Sequence, residues 1–279
     1  MKIKKFTRYD RMNLITSIIL GVICIFWLYP FFWPIFSAFK MPKEMYNAGY
    51  HLWPKQWTLE NFARAWSKAH FSRYMINSII YSVTSTAISV IASALAGYAL
   101  ARYNFPGRKF LKGLIMAMVF LPTSTSILPV FDLMQRLHLL NTPFAVILAL
   151  SGGVGFSTIL FEGYFQNIPH DLYDAAMVDG ASFFQQLKLI LPLANPIIAT
   201  SVILGFNSAW QEYFIPLVFT LGKPNLRTLS VGLRSFTGQY SSDISGFAAA
   251  TTISIIPIII VFIIFQRQFI DGLAGSVKG

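Results

Sequence analysis

The chain has 279 residues, of which 55% are hydrophobic, 16% aromatic and only 12% charged, with a mean hydropathy of +0.57. Soluble domains average about 25% charged residues, so this composition, with several apolar runs of about 20 residues, excludes a cytosolic core and places the chain in a bilayer. The net charge of +11 does not read as a nucleic-acid surface, because Lys and Arg gather at the ends of apolar runs and form no stripe interleaved with aromatics.

Residues 1–12 carry Lys2, Lys4, Lys5, Arg8 and Arg11 and read as a cytoplasmic tail. The apolar run from Asn13 to Phe39 is too long for a signal-peptide core and lacks a small-residue cleavage site, so it is expected to stay as helix one. Pro30 and Pro34 should bend or end its outer part, since each removes a backbone donor. Cys24 is the single cysteine and lies inside this run, so one copy can form no disulfide. Residues 40–70 are polar and aromatic, with a short amphipathic helix expected after Thr58.

The run from Tyr74 to Ala101 is rich in Ser, Thr, Ala and Gly, the residues that let membrane helices approach closely, and is expected to be a buried bundle helix. Arg102, Arg108, Lys109 and Lys112 then form a short basic loop, read as cytoplasmic. Helix three, Leu114 to Met134, contains LPTSTSILP, where two prolines bracket four hydroxyl residues, among them Thr123 and Ser124. These either line a pathway or cap carbonyls freed by the prolines. Helix four, Phe144 to Phe165, includes SGGVGFST, whose glycines lack the GxGxxG spacing of a nucleotide loop and read as close-packing residues.

Between helices four and five lies a long polar stretch, Ile168 to Pro196. Pro169, Asp171 and Asp174 suit a helix start. Leu172, Ala175, Ala176 and Asp179 recur at helical spacing as a narrow face open to a partner. Gly180 supplies the permissive end, and Ser182 with Gln185 forms a capping box for a second helix. From composition alone, an amphipathic connector lying in the lipid headgroups is an equal alternative, with Phe183, Phe184, Leu187 and Leu191 on its apolar side. Helix five, Leu193 to Phe219, carries Asn207, Ser208, Gln211 and Glu212 near its outer end as candidate pathway residues. A carboxylate near the membrane is a functional candidate, or else lies at the interface. Residues 220–245 form a polar outer loop, helix six runs from Ser245 to Phe269, and residues 271–279 are a cytoplasmic tail.

The expected fold is all-α, a polytopic membrane domain over residues 13–270 with six transmembrane helices and both termini inside. Charge density beside the early helices sets that orientation more than totals do. The histidines are scattered, with no HExxH spacing, so no metal site is expected.

DAAMVDGASFFQQLKLILPLANP resembles the EAA loop of binding-protein-dependent ABC importer permeases: EAA, three residues, Gly, nine residues, then I-x-LP. Asp174, Ala175, Ala176, Gly180, Ile190 and the pair Leu191 and Pro192 take those places, with Asp174 for the usual glutamate. LPTSTSILPVFDLMQRLHLLNTPFAVILAL, FNSAWQEYFIPLVF, LRTLSVGL and FIDGLAGSVKG are similar to the maltose-type, carbohydrate-uptake branch. The resemblance implies a type I ABC importer permease fold and one half of a sugar (oligosaccharide) pathway, in the cytoplasmic membrane of a prokaryote. It further implies that residues 168–193 couple to a separate ATPase through Leu172, Asp174, Ala175, Ala176, Met177 and Gly180. The implied partners are a second homologous permease subunit, two cytoplasmic ATPase subunits, an extracytoplasmic sugar-binding protein and membrane lipid. No cofactor is expected in this chain, ATP and Mg belonging to the ATPase. The loop from Gly222 to Asp243, with Arg227, Arg234, Gln239 and Tyr240, would meet the binding protein.

The chain has no GxxxxGK[ST] loop and is therefore not expected to be the enzyme of the complex. The competing classes are an ion-coupled carrier, which calls for internal repeats and buried ionisable residues, and an intramembrane enzyme using Asp132, Glu162 or Glu212, for which no acid–base spacing is present.

Overall fold

The computed structural model describes residues 8–47, 51–68, 70–236 and 243–276. Among them are fourteen α-helices: α1 (Arg8–Ala38), α2 (Pro42–Asn47), α3 (Glu60–Lys68), α4 (Phe71–Arg102), α5 (Arg108–Val119), α6 (Thr123–Arg136), α7 (Pro143–Ser151), α8 (Val154–Gln166), α9 (His170–Val178), α10 (Phe183–Ile190), α11 (Asn195–Gln211), α12 (Phe214–Phe219), α13 (Leu229–Leu233) and α14 (Ile244–Ser276). The only β pairing among the described residues is an isolated bridge between Lys40 and Trp57. The all-α expectation therefore holds.

The chain divides into two compact units, residues 1–69 with 235–254 and residues 70–234 with 255–279. In the first unit, α1 is apolar all round and exposed from Leu14 to Phe32, as a lipid-facing helix must be, while its last turn at Ser37 and Ala38 is buried. Of the two expected effects of Pro30 and Pro34, neither residue ends the helix, which runs on to Ala38. Its end is instead fixed by Asn61, whose amide donates to the carbonyls of Ala38 (2.8 Å) and Lys40 (2.7 Å). Arg64 closes the unit with a forked pair to Asp243 at 2.8 and 3.0 Å.

The second unit is built on α4. Its Ser78, Ser82, Ser85, Thr86, Ser93 and Gly97 turn inward, while Ile76, Ile79, Ile80, Val83, Ile88 and Ile91 are exposed. Small and hydroxyl residues thus make the packed face. The helix also has an exposed apolar face within this single chain, beside the packed face that the expectation of a buried helix called for. At Gly97 the approach of α8 is so close that an added Cβ would stand 2.5 Å from Phe161 Cβ and 2.9 Å from the Glu162 nitrogen.

Among the described residues, three helices are long and apolar enough to cross a membrane, over Leu14–Ala38, Phe71–Arg102 and Ile244–Ile270, or up to five spans if each of two bent pairs counts as one. The bent pairs are α7 with α8, at 44°, and α10 with α11, at 85°. The predicted third span is two helices, α5 and α6, parted at Phe120–Pro122, while Pro129 sits inside α6 without breaking it. The glycines of the fourth run, expected as packing residues, include Gly152 and Gly153, which stand at the break between α7 and α8. The fifth run also breaks. Glu212 follows α11, and its Oε1 accepts from the backbone N–H of Phe214 (2.9 Å) and Ile215 (3.2 Å) at the start of α12.

Candidate coupling surface and polar cavity

The polar stretch folds as helix, turn, helix. Pro169 is the residue just before α9, and Asp171 lies in its first turn, where a carboxylate favours the positive end of the peptide dipoles. Gly180 has φ +71°. The N–H of Ala181 donates to the Ala176 carbonyl (2.9 Å) and that of Gly180 to the Met177 carbonyl (3.0 Å), the paired bonds of a Schellman ending. Gln185 then reaches back to accept from the Ser182 N–H at 2.7 Å, forming the predicted capping box. Leu191 and Pro192 follow Ile190 directly, one residue sooner than the I-x-LP form of the loop.

This unit is not a free amphipathic connector. Tyr173, Leu187 and Ile190 are buried in one cluster with Tyr98 of α4 and Phe161 and Phe165 of α8. Of the headgroup side chains proposed for that alternative, Leu187 is buried and Phe184 exposed. Burial pushes the Tyr173 hydroxyl above its usual pKa, with the Arg102 guanidinium acting in the opposite direction.

The expected small-residue face is divided. Ala176 turns into the chain and is buried, whereas Leu172, Asp174, Ala175, Met177 and Asp179 are exposed. Val178, not singled out from the sequence, is 88% exposed and is the most prominent apolar side chain of α9. It lies three residues beyond Ala175, so helical spacing could have found it. Arg102, at the end of α4, gathers the other side of α9. Its guanidinium donates to Asp174 Oδ1 at 3.3 Å, lies over the Tyr173 ring at 4.7 Å and stands 3.8 Å from Met177 Sδ. It also faces His170 Nδ1 at 3.2 Å, and since arginine has no acceptor, the ring nitrogen must accept.

At the midpoint of α4 a cavity of about 150 Å³ opens among α4, α8 and α11, lined by Ser85, Thr86, Ser89, Ser157, Ser201 and Ser208, with Glu212 on its wall. Ser208 and Glu212 were predicted pathway residues and are brought together here. Asn207 and Gln211 do not line this cavity and bond to each other, the Gln211 amide donating to Asn207 Oδ1 at 2.7 Å. Thr123 and Ser124 open α6, and their side chains lie outside the described residues. A wider recess of about 860 Å³ lies along Asn104–Lys112, and of the sequence candidates Glu162, an acidic residue of the enzyme alternative, lines it.

The three acidic enzyme candidates all have structural employment. Glu162 is buried and accepts from Lys112 Nζ at 2.8 Å and Gln166 Nε2 at 3.0 Å. Asp132 pairs with Arg136 at 2.9 Å on an exposed helix face. Glu212 caps α12. No group of three or more His, Cys, Asp or Glu able to hold a metal is present among the described residues.

The loop after α12 is pinned to the N-terminal half of α4. Asn77 donates to the carbonyls of Asn225 and Arg227, both at 2.9 Å, Tyr81 to that of Leu226 at 3.2 Å, and Ser78 Oγ accepts from the Leu229 N–H at 2.7 Å. Arg227 is half-buried, while Arg234 is exposed, its guanidinium 5.2 Å from the Tyr213 ring. Gln239 and Tyr240 lie outside the described residues.

Residues 89–274 match the family model described as "Binding-protein-dependent transport system inner membrane component". The chain is 34% identical to a trehalose transport system permease protein of Mycobacterium tuberculosis, over 90% of this chain and 93% of the relative. It is 33% identical to a trehalose/maltose transport system permease protein of Thermococcus litoralis, over 95% and 96%. Among solved structures, a chain of a bacterial ABC transporter involved in the import of the acidic polysaccharide alginate superposes with a TM-score of 0.80 at 25% identity, covering 96% of this chain and all of that one.

Proposed function

From the chain's membership of the binding-protein-dependent transport system inner membrane component family, we infer that it is one permease subunit of an ATP-driven importer of sugars, with oligosaccharides as its substrates. The sugar transporters among its relatives support the substrate class. The family's inner-membrane description supports the location, with residues 1–12 and 271–279 facing the cytoplasm and six spans, α5 with α6 supplying the third.

In this reading α9 is the cytoplasmic coupling element. Its observed architecture carries the proposal. The Schellman ending at Gly180 and the Tyr173 core fix the helix to the bundle, and Arg102 ties it to the end of α4. Leu172, Asp174, Ala175, Met177 and Val178 are left outward, a small and mostly apolar surface able to seat in a cleft of an ATPase subunit. ATP and Mg would be held there and not in this chain. The ATPase pair closing on nucleotide would carry α9 and, through Arg102, α4. A second homologous permease subunit would complete the pathway, and a sugar-loaded extracytoplasmic binding protein would meet the loop containing Arg227, Arg234, Gln239 and Tyr240.

The test is reconstitution of the chain with its permease partner, ATPase and binding protein in proteoliposomes. Sugar uptake and vanadate-sensitive ATP hydrolysis, both stimulated by the loaded binding protein, are expected. Hydrolysis that never responds to this chain, or uptake driven by an ion gradient without ATP, would overturn the reading.

A further inference from the structure

We propose that the recess along Asn104–Lys112 is a docking site for the headgroup of an anionic phospholipid, a function beyond the importer reading and independent of it. Arg108, Lys109 and Lys112 line the recess against a single carboxylate, that of Glu162. That carboxylate is already engaged, accepting from Lys112 Nζ at 2.8 Å and Gln166 Nε2 at 3.0 Å. Arg108 donates to the neutral amide oxygen of Asn104 at 2.6 Å, and no ion pair among the described residues includes Arg108 or Lys109. The two stand four and three positions before Lys112 on α5, so the three cations share one helix face and repel one another. An anion seated among them removes that cost.

The helix that carries the cations selects a lipid over a soluble anion. None of the residues of α5 is buried, and Phe110, Leu111, Leu114 and Met118 are exposed along it beside and beyond the three charges. A soluble phosphate would use the charges and leave this apolar surface bare. A phospholipid uses both, with its phosphate in the recess and its acyl chains along α5. At 1.5 Å per residue α5 is about 18 Å long, close to the ~15 Å of one hydrocarbon leaflet. The recess of about 860 Å³ lies within the range of small-molecule sites, roughly 300–1,000 Å³. Basic pockets at the cytoplasmic ends of membrane helices hold anionic headgroups, and the proposed orientation puts this end at the cytoplasmic leaflet.

The experiment uses the full chain carrying Cys24→Ser and Gly113→Cys, labelled with bimane and reconstituted in phosphatidylcholine vesicles doped with brominated phosphatidylglycerol. An added Cβ at Gly113 meets no atom within 4 Å, and the position lies one helical turn beyond Lys109. Quenching by brominated phosphatidylglycerol is expected to saturate at a lower mole fraction than quenching by brominated phosphatidylcholine. Arg108→Gln or Lys109→Gln should raise the half-saturating fraction about fivefold, the loss of one cation near the surface. Lys188→Gln, which removes a charge from α10 instead, should leave it unchanged. Lys112 is left intact because it holds Glu162. If the labelled chain fails to reconstitute, native mass spectrometry of the unlabelled chain is expected to show retained phosphatidylglycerol that Arg108→Gln with Lys109→Gln sheds. Equal quenching by the two lipids, or an equal loss in Lys188→Gln, would overturn the site. Relief of quenching by inorganic phosphate or by polyglutamate would also overturn it, reassigning the recess to a soluble anion or an acidic protein segment. Sugar uptake enters none of these readouts, so their failure leaves the importer reading standing.

Discussion

Arg102 is the last residue of α4, and its guanidinium holds Asp174 of α9 at 3.3 Å. The pair is lopsided: the Arg102 side chain is 15% exposed and that of Asp174 60%. The arginine is thus a fixed post under the proposed coupling helix, and the carboxylate keeps one side toward solvent. In that reading an aspartate can stand in place of the longer glutamate. Its first partner is inside its own chain, one helix away.

Replacing Arg102 by Ala is expected to loosen α9 without unfolding the bundle. An exposed ion pair is worth under ~1 kcal/mol and the cation–π contact about the same, so sugar moved per ATP should fall a few-fold. Arg102→Lys should recover little, because lysine cannot fork between Asp174 and His170. Uptake and hydrolysis measured on one preparation check this; an unchanged ratio would remove Arg102 from the coupling path.

Gly180→Ala places a Cβ at φ +71°, costing about 1–2 kcal/mol and turning α10 away from its Schellman geometry. Gly180→Asn should be milder, since asparagine tolerates that region. Gly180→Glu and Ala175→Asp are expected to leave insertion intact and to abolish both uptake and ATPase stimulation. Normal transport in both would remove α9 as the docking element.

Lys112→Met leaves the buried Glu162 carboxylate, whose side chain is 2% exposed, without its cation. Breaking a fully buried pair costs about 3–5 kcal/mol; the Lys112 side chain is 39% exposed and solvent screens the pair, so the loss should be smaller, read as lower thermal stability in detergent by fluorescence-detected size exclusion. The double variant Lys112→Met, Glu162→Gln should regain most of it. A double variant as unstable as the single one would show that the pair is not the source.

Gly97→Ala should separate α4 from α8, because the added Cβ meets Phe161 Cβ at 2.5 Å and backbone atoms near 3 Å. Overpacking of this kind costs about 1–3 kcal/mol. Phe161→Ala in the same background keeps the clashing Cβ and both backbone atoms, so no recovery of the melting temperature is expected from it.

Much of the fold was legible because it rests on local chemistry. The small-residue run of α4, the Gly180 turn and the Ser182–Gln185 box each need only neighbours in sequence. What escaped was set by distant partners. Tyr173 faces inward because Tyr98, Phe161 and Phe165 arrive from other helices, and no spacing within α9 announces that. The breaks at Phe120–Pro122, Gly152–Gly153 and Glu212 were hidden for a related reason. A continuous apolar run looks the same whether it is one straight helix or two meeting at an angle. The Ser85, Thr86, Ser89 and Ser201 cavity was invisible since its walls come from separate runs, although Ser208 and Glu212 marked its edge.

The uninterrupted build of α4 has a last consequence. Its 32 residues contain no proline, and at 1.5 Å per residue they form a rod of about 48 Å, longer than the ~30 Å hydrocarbon layer. Asn77, Ser78 and Tyr81 clamp one end to the loop over Asn225–Leu229, and Arg102 clamps the other to Asp174. Between the clamps there is no joint to absorb motion, so a shift imposed at either face of the membrane reaches the other without lag. In the proposed coupling the same shift carries Thr86 with it, so the wall that α4 gives to the 150 Å³ cavity moves as the two ends move.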